Sequence, residues 1–272
     1  MDENIKELTD IAEGTVTELY KDVARPSVQA IGTILSYLPR TIRLAFSRWE
    51  KWIINGEESL KLTGELLRER IKHIPEEKLC EPEPYVAIPA IQQLSYCENS
   101  DILRELYANL LASSMNIDTK WTVHPSFVDI IKQLNPDEAK LLKSLTPATI
   151  INHPLIDVRF KNKQDGGSHL LFSNFTTVGL NKIENESNIH LYIDNLERLK
   201  LIEIPPLQQL VDKMAYNELK EHPFLKELLN VSEVNTLFDI DYEHKVFNLT
   251  SFGVSFIQVS CNRQMDKEDL SS

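Results

Sequence analysis

Proline places the tightest restriction on this chain. Pro75, Pro82, Pro84 and Pro89 fall within the stretch "PEEKLCEPEPYVAIPA", residues 75–90. Each one fixes φ, removes an amide donor and pushes the preceding residue toward extended backbone. The stretch therefore reads as a rigid, extended collar that turns helical from about Val86 to Tyr96, with Pro89 held in a first turn. Directly afterwards Ile102, Leu103, Leu106, Tyr107, Leu110 and Leu111 mark one face of a helix. Asn99 or Ser100 can cap it, and Asp101 sits at its positive end. The expectation is a lead-in that docks through Tyr85, Val86 and Ile88 onto a central helix spanning 100–115. Glu76, Glu77, Glu81 and Glu83 read as the solvated edge of this connector. An acid–base pair would instead need one carboxyl desolvated.

Upstream, residues 1–24 read as a weakly docked helical arm. A second helical region runs from about Pro26 to Ile54 and bends at Pro39. Past the bend Arg40, Arg43, Phe46, Arg48, Trp49 and Trp52 give a basic, aromatic, amphipathic helix. It serves either as a core helix whose arginine stems cover apolar neighbours, or as a face for a membrane surface or a partner protein. Asn55-Gly56 ends it, and Glu57 to His73 forms another amphipathic helix. Residues 25–121, with the collar at 75–90, thus make an all-α domain of about five helices.

Beyond His124-Pro125 the pattern changes. "SFVDIIKQL" and "NPDEAKLLKSL" are short helices, the second with Asn135 as N-cap, Pro136 at the first position and Asp137 and Glu138 in the first turn. Two strand-like runs flank the turn "QDGGSH", a helix follows from Ser187 to about Leu199, and "KLIEI" is a short strand stopped by Pro205-Pro206. A last strand, Val246 to Leu249, leads into a helix capped by Thr250 or Ser251. The fold class read from this order is mainly α: an N-terminal helical unit followed by an α+β, winged-helix-like domain over 122–262, then a disordered tail, 263–272. Two insertions enlarge it, one at about Asp165 to Val178 and one between Ile204 and Lys245, where "LQQLVDKMAYNEL" and "FLKELL" read as helical. If the domain reads DNA, its third helix would offer His190, Asn195, Arg198 and Lys200, with Lys245 on the wing. Asp194 and Glu197 oppose that use.

The charge balance disfavours nucleic acid as well. There are 14 basic and 20 acidic residues in 1–123, and 15 and 21 in 124–272, within a net charge of −12. Neither half carries the basic excess that a phosphate backbone attracts. Cys80, Cys97 and Cys261 are dispersed, without a CxxC pair, which suits a reducing compartment. No phosphate-cradling loop, nucleophile elbow or helical zinc pair occurs among the motifs, so no catalytic, cofactor or metal residue is assigned and no enzymatic activity is expected. The longest apolar run, Val28 to Leu38, spans only eleven residues, too few for a membrane helix. A cytoplasmic protein is expected, with peripheral contact at the inner membrane through the 40–54 helix.

The block from Pro75 to Asn116 resembles the signature of the abortive-infection alpha family, a bacterial group of poorly defined biochemical function. Its elements here are Pro75 to Leu79, Pro84, Pro89-Ala90, the acidic turn Glu98 to Asp101, and the "LRELYANLLA" helix from Leu103 to Ala112. The likeness continues through "HPSFVDIIKQLNPDEAKLLKSL" and "FNLTSFGVSFI", covering about residues 25–260. It implies membership of a family named for phage defence by host sacrifice or growth arrest. The expectation is a factor that acts without catalysis, through association with an unknown host or phage protein or with further copies of the chain. The family supplies no catalytic residue to carry over. A winged-helix, DNA-binding transcription regulator is the alternative.

Overall fold

The computed structural model describes residues 57–94, 96–97, 99–145, 152–229 and 237–261. The expectations for the 1–24 arm, for the face formed by Arg40, Arg43, Phe46, Arg48, Trp49 and Trp52, and for the 263–272 tail lie outside them. The chain divides into two compact units, Met1–Val128 and Asp129–Ser272.

In the first unit, helix α1 (Glu57–Ile71) precedes a single 3-10 turn at Glu76–Lys78, and α2 (Pro84–Leu94) and α3 (Asp101–Ser114) follow. Both α1 and α2 pack on α3. The last helix is the spine of the unit: Arg104 and every residue from Leu106 to Ser114 are buried along it. Ser100 is the cap, its hydroxyl accepting from the Leu103 amide at 3.4 Å. Arg70 of α1 reaches the spine, donating from Nε to Asn109 Oδ1 at 2.9 Å and from Nη2 to Glu105 at 3.3 Å. Asn109 is fully buried, so its side-chain oxygen is met within the protein, as a buried amide requires.

The collar is extended over Leu79–Glu83 but departs from expectation beyond it. Helix α2 already begins at Pro84, and Pro89 lies inside it, past the first turn. The carbonyl that Pro89 cannot bond belongs to Tyr85, which is 59% exposed, so water can take the place of the missing donor. Tyr85 therefore does not dock, whereas Val86 is 2% exposed and Ile88 is half-buried. The extended part is stitched to the residues after α3. The Cys80 amide donates to Met115 O at 2.8 Å and the Ile117 amide to Lys78 O at 2.9 Å, around an antiparallel bridge between Leu79 and Asn116. Ion pairs Lys78–Asp118 (2.6 Å) and Lys120–Glu83 (2.9 Å) flank it. Glu76, Glu77 and Glu81 are exposed.

Helix α4 (Ser126–Gln133) straddles the division between the units. In the second unit α5 (Pro136–Ser144) opens on a complete capping box: Asn135 accepts from the Glu138 amide and Glu138 from the Asn135 amide, both at 2.8 Å. Strands β1 (His153–Asn162) and β2 (Ser168–Phe175) form a hairpin. Helix α6 (Ile189–Arg198), the two-residue strand β3 (Ile202–Glu203), short helices α7 (Asn217–Lys220) and α8 (Pro223–Leu229), strand β4 (Phe238–Leu249) and helix α9 (Ser251–Phe256) complete the order. The sheet runs β2-β1-β4-β3, antiparallel throughout. Leu155, Ile156, Asp157 and Val158 are buried in succession, so both faces of β1 are covered. The described residues thus form helices with a four-stranded antiparallel sheet, an α+β protein.

Two sequence expectations change here. Strand β4 starts at Phe238, well before Val246. "LQQLVDKMAYNEL" is not helical until the 3-10 turn Lys213–Tyr216, because Pro205-Pro206 precede it and Leu207 adopts φ +62°.

His153, at the start of β1, stacks on Phe247 with centroids 4.9 Å apart, and burial pushes its pKa below the ordinary 6.5. The folded chain therefore holds the neutral ring, while the unfolded chain takes up a proton first. The stability this group supplies is full above 6.5 and is lost as pH falls through the depressed folded value. His153→Phe keeps the stacking and removes the proton. Its melting temperature should fall less than the native chain's between about pH 7.5 and about pH 5.5. Equal losses in the two proteins would refute this assignment.

Candidate functional site

Had the domain read DNA, helix α6 would have offered His190, Asn195, Arg198 and Lys200, and the structure packs or bonds most of these side chains internally. Ile189, Tyr192, Ile193 and Leu196 are buried. Asn195 Nδ2 donates to Gln133 O at 3.1 Å and to Glu138 Oε1 at 2.9 Å. Arg198 donates from Nη1 to Gln133 Oε1 at 3.1 Å, and from Nε and Nη2 to Asn195 Oδ1 at 3.0 and 2.7 Å. These two residues are brought together, but their polar groups fasten α6 to the end of α4 and the start of α5. His190 meets Phe172 edge-on, centroids 4.8 Å apart, and its buried Nδ1 has no hydrogen-bond partner. Lys200 is exposed with φ +60°, just past the helix.

Lys245 lies in β4 and points into a polar knot. Its ammonium donates to Asp157 Oδ1 at 2.8 Å and to Asn174 Oδ1 at 2.6 Å. The Asn174 amide donates to the same Asp157 oxygen at 2.9 Å, and its Nδ2 to Asp194 at 2.7 Å. Asp157 is 6% exposed, so the lysine neutralises a carboxylate that is costly to bury alone. The knot joins β1, β2, β4 and α6, and asks Asn174 to adopt φ +54°, which asparagine tolerates.

Neighbouring carboxyls at the head of α5 show the nearest approach to an acid–base pattern. Burial raises the pKa of Glu138 against the hydrogen bonds it accepts from Asn135 and Asn195. For Asp137 burial acts in the same direction, but donation from the Glu184 amide, Lys140 and the Asn185 amide outweighs it and leaves the carboxyl below its ordinary value. Separated pKa values of this kind can serve catalysis. Here both residues are buried, at 8% and 4% exposure, and all four carboxylate oxygens accept hydrogen bonds from the protein. Among the donors is the Tyr192 hydroxyl of α6, 3.2 Å from Asp137. The arrangement joins α5 to α6. Cys97 is likewise unsuited to attack at neutral pH, since burial pushes its thiol up to about 11. No group of three His, Cys, Asp or Glu residues among the described residues could hold a metal ion, and no helix among them is long and apolar enough to cross a membrane.

Two open surfaces were not read from the sequence as sites. In the first unit a cleft of about 690 Å³ lies beside α1 and the start of α3, with Leu62 and Leu66 among Glu65, Glu69, Glu105 and Arg104. In the second, the segment after β3 holds Leu207, Val211 and Met214 at 104%, 99% and 71% exposure. The segment read as helical, and the spacing of these residues does not tell whether a face is covered; nothing among the described residues covers them. The one available signal was the Pro205-Pro206 break.

Fold and surfaces together define a class: a two-unit α+β protein whose second unit ties α5 to α6, and α6 to the sheet, through polar side chains, and whose most exposed apolar side chains among the described residues sit on an insertion. Residues 55–260 match the family described as abortive infection alpha, and the chain belongs to that family. The match begins later than the expected residue 25. No curated protein matches. A solved structure titled "Structure of the uncharacterized protein from the hydrocarbon-degrading marine bacterium Alcanivorax borkumensis SK2" shares 14% identity and a TM-score of 0.34, covering 50% of this chain and 92% of that one.

Proposed function

We propose that this chain is an anti-phage factor of abortive-infection type that works without catalysis, through association with another protein. Family membership over residues 55–260 is the observation that carries the reading. Leu207, Val211 and Met214 support the association part, because three large apolar side chains so fully exposed within eight residues of chain suit a contact surface. A cytoplasmic site of action, with the basic aromatic segment Arg40–Ile54 at the inner membrane, belongs to the same proposal. The test is a phage challenge of bacteria carrying the intact gene, a version lacking residues 1–56, or the double variant Leu207→Asp, Val211→Asp. Both positions are exposed, so the double variant should keep its stability within about 0.5 kcal/mol per site. Protection with host death, lost in the folded double variant, is the expected result. Full protection by that variant would overturn the association surface, and no protection by the intact gene against a broad panel would overturn the defence reading.

A winged-helix DNA regulator is the second reading, favoured by one observation: β1, β4 and β3 are contiguous in the sheet, with α5 before them and α6 leading directly into β3. The internal bonds of Asn195, Arg198 and Lys245 weigh against it. Salt-dependent binding to DNA upstream of its own gene would favour it; binding indifferent to salt, or none, would remove it.

A further inference from the structure

Strand β4 is twelve residues long, and its two sides are treated very differently. β1 pairs with it continuously from Phe238 to Phe247. On the other side β3 pairs only with Asn248 and Leu249, and then runs into Pro205-Pro206, which cannot donate to a ladder. The direction of each backbone group follows from the register. The Lys163 amide donates to Leu237 O at 3.1 Å, continuing the β1–β4 ladder in step. Antiparallel pairs alternate between bonded and unbonded, so Asp239, Asp241 and Glu243 turn their amides and carbonyls toward β1. Ile240, Tyr242 and His244 turn theirs away, and no described residue bonds to those outward groups.

We infer that this open edge of β4, Phe238 to His244, is a docking site for an extended segment of a partner protein in which basic and apolar residues alternate. Side chains supply the reason for that chemistry. On one face of the sheet β1 carries Arg159 and Lys161, Lys163 follows just past its end, and β4 carries Asp239, Asp241 and Glu243 beside them, all three carboxylates exposed. Arg159–Glu243 at 3.0 Å and Lys163–Asp239 at 3.5 Å link the two rows. The acidic row borders the open edge, so an added strand continues the alternation of charge only if its residues on that face are basic. On the opposite face Phe238, Ile240, Tyr242 and His244 are half-buried, which suits apolar residues at alternate positions. A second copy of β4 would set carboxylates opposite carboxylates, which destabilises a cross-strand pair. Backbone bonding supplies affinity and the alternating side chains supply selection, as in other cases of strand addition. This inference rests on the association reading above and names the kind of partner it takes.

The test uses the purified full chain and a synthetic peptide alternating lysine and valine, about eight residues long to match a strand. Binding is followed by anisotropy, and amide exchange is read residue by residue. In the free chain the amides of Asp241 and Glu243 should be protected and those of Ile240, Tyr242 and His244 should exchange freely. Peptide should slow the latter set about tenfold or more and leave the former unchanged. A glutamate–valine peptide should bind about tenfold more weakly, and Asp241→Lys should weaken the lysine–valine peptide about fivefold. Three results would overturn the inference: edge amides already protected in the free chain, protection that grows with protein concentration alone, or no binding of the lysine–valine peptide. Because the chain is tested in isolation, these outcomes are independent of the phage challenge, whose failure would instead remove the defence reading.

Discussion

Gly253→Ala should destabilise the second unit by about 3 kcal/mol or more. Thr250 caps α9, its hydroxyl accepting from the Gly253 amide at 2.9 Å, and the Thr250 amide donates to Leu201 O at 3.1 Å. That geometry brings the helix down onto the chain just before β3. A Cβ on residue 253 would lie 1.9 Å from Leu201 O and 2.8 Å from its carbonyl carbon. Both obstacles are backbone, so no rotamer change relieves them, and α9 must lift away. Alanine gains about 1 kcal/mol in helix propensity over glycine, and the clash has to exceed that gain before any loss is seen. Gly166→Ala is the control: φ is +72° there but nothing lies within 4 Å of the added carbon, so only the backbone preference, about 1 kcal/mol, is at stake. Urea unfolding of both variants distinguishes the two effects. A Gly253→Ala protein as stable as the Gly166→Ala protein would show that the helix does not approach so closely.

The second large effect is expected at Leu106, which is 0% exposed on the spine helix α3. Removing a buried leucine side chain costs about 2–5 kcal/mol, and aspartate adds a carboxyl with no partner provided. The sum exceeds about 5 kcal/mol, a large share of the stability of a typical domain. Leu106→Asp should therefore unfold the first unit. Amide exchange at Tyr107 and Leu110, both buried beside it, reports this directly. Native-like protection there would mean that α3 is not the element on which the unit depends.

What could be read from the sequence was local. Asn135 with Pro136, Asp137 and Glu138 announced the start of α5, because a capping box lies within four consecutive residues. Ser100 and the apolar face that follows it announced α3 in the same way. Roles set by distant partners were hidden. Glu138 looked like a first-turn acid, but its burial and its bond to Asn195 depend on a helix elsewhere in the chain. Lys245 looked like a wing contact, and only the fold brings Asp157 and Asn174 to its ammonium. In "FDIDYEH" the alternation of apolar and acidic residues was present, yet aspartate is a poor strand former. Its strand identity came from pairing with β1 over the whole length. Spacing also misled: Leu207, Leu210 and Val211 suit a helix, but periodicity says nothing about whether a face is covered.

The stitch between the collar and the end of α3 has a kinetic consequence. Leu79 and Asn116 are joined by backbone bonds, so α2 and α3 lie within a closed loop. Opening the collar and fraying the spine are then one event, since neither end can leave while the other holds it. A protease sees accessible glutamates at Glu76, Glu77 and Glu81. The first two, however, lie in a 3-10 turn, and between them and the third Lys78 and Cys80 are bonded through their backbone to Ile117 and Met115, which withholds the extended strand that cleavage requires. The collar is thus a stretch of loop composition whose rate of cleavage follows the opening of the helical unit around it.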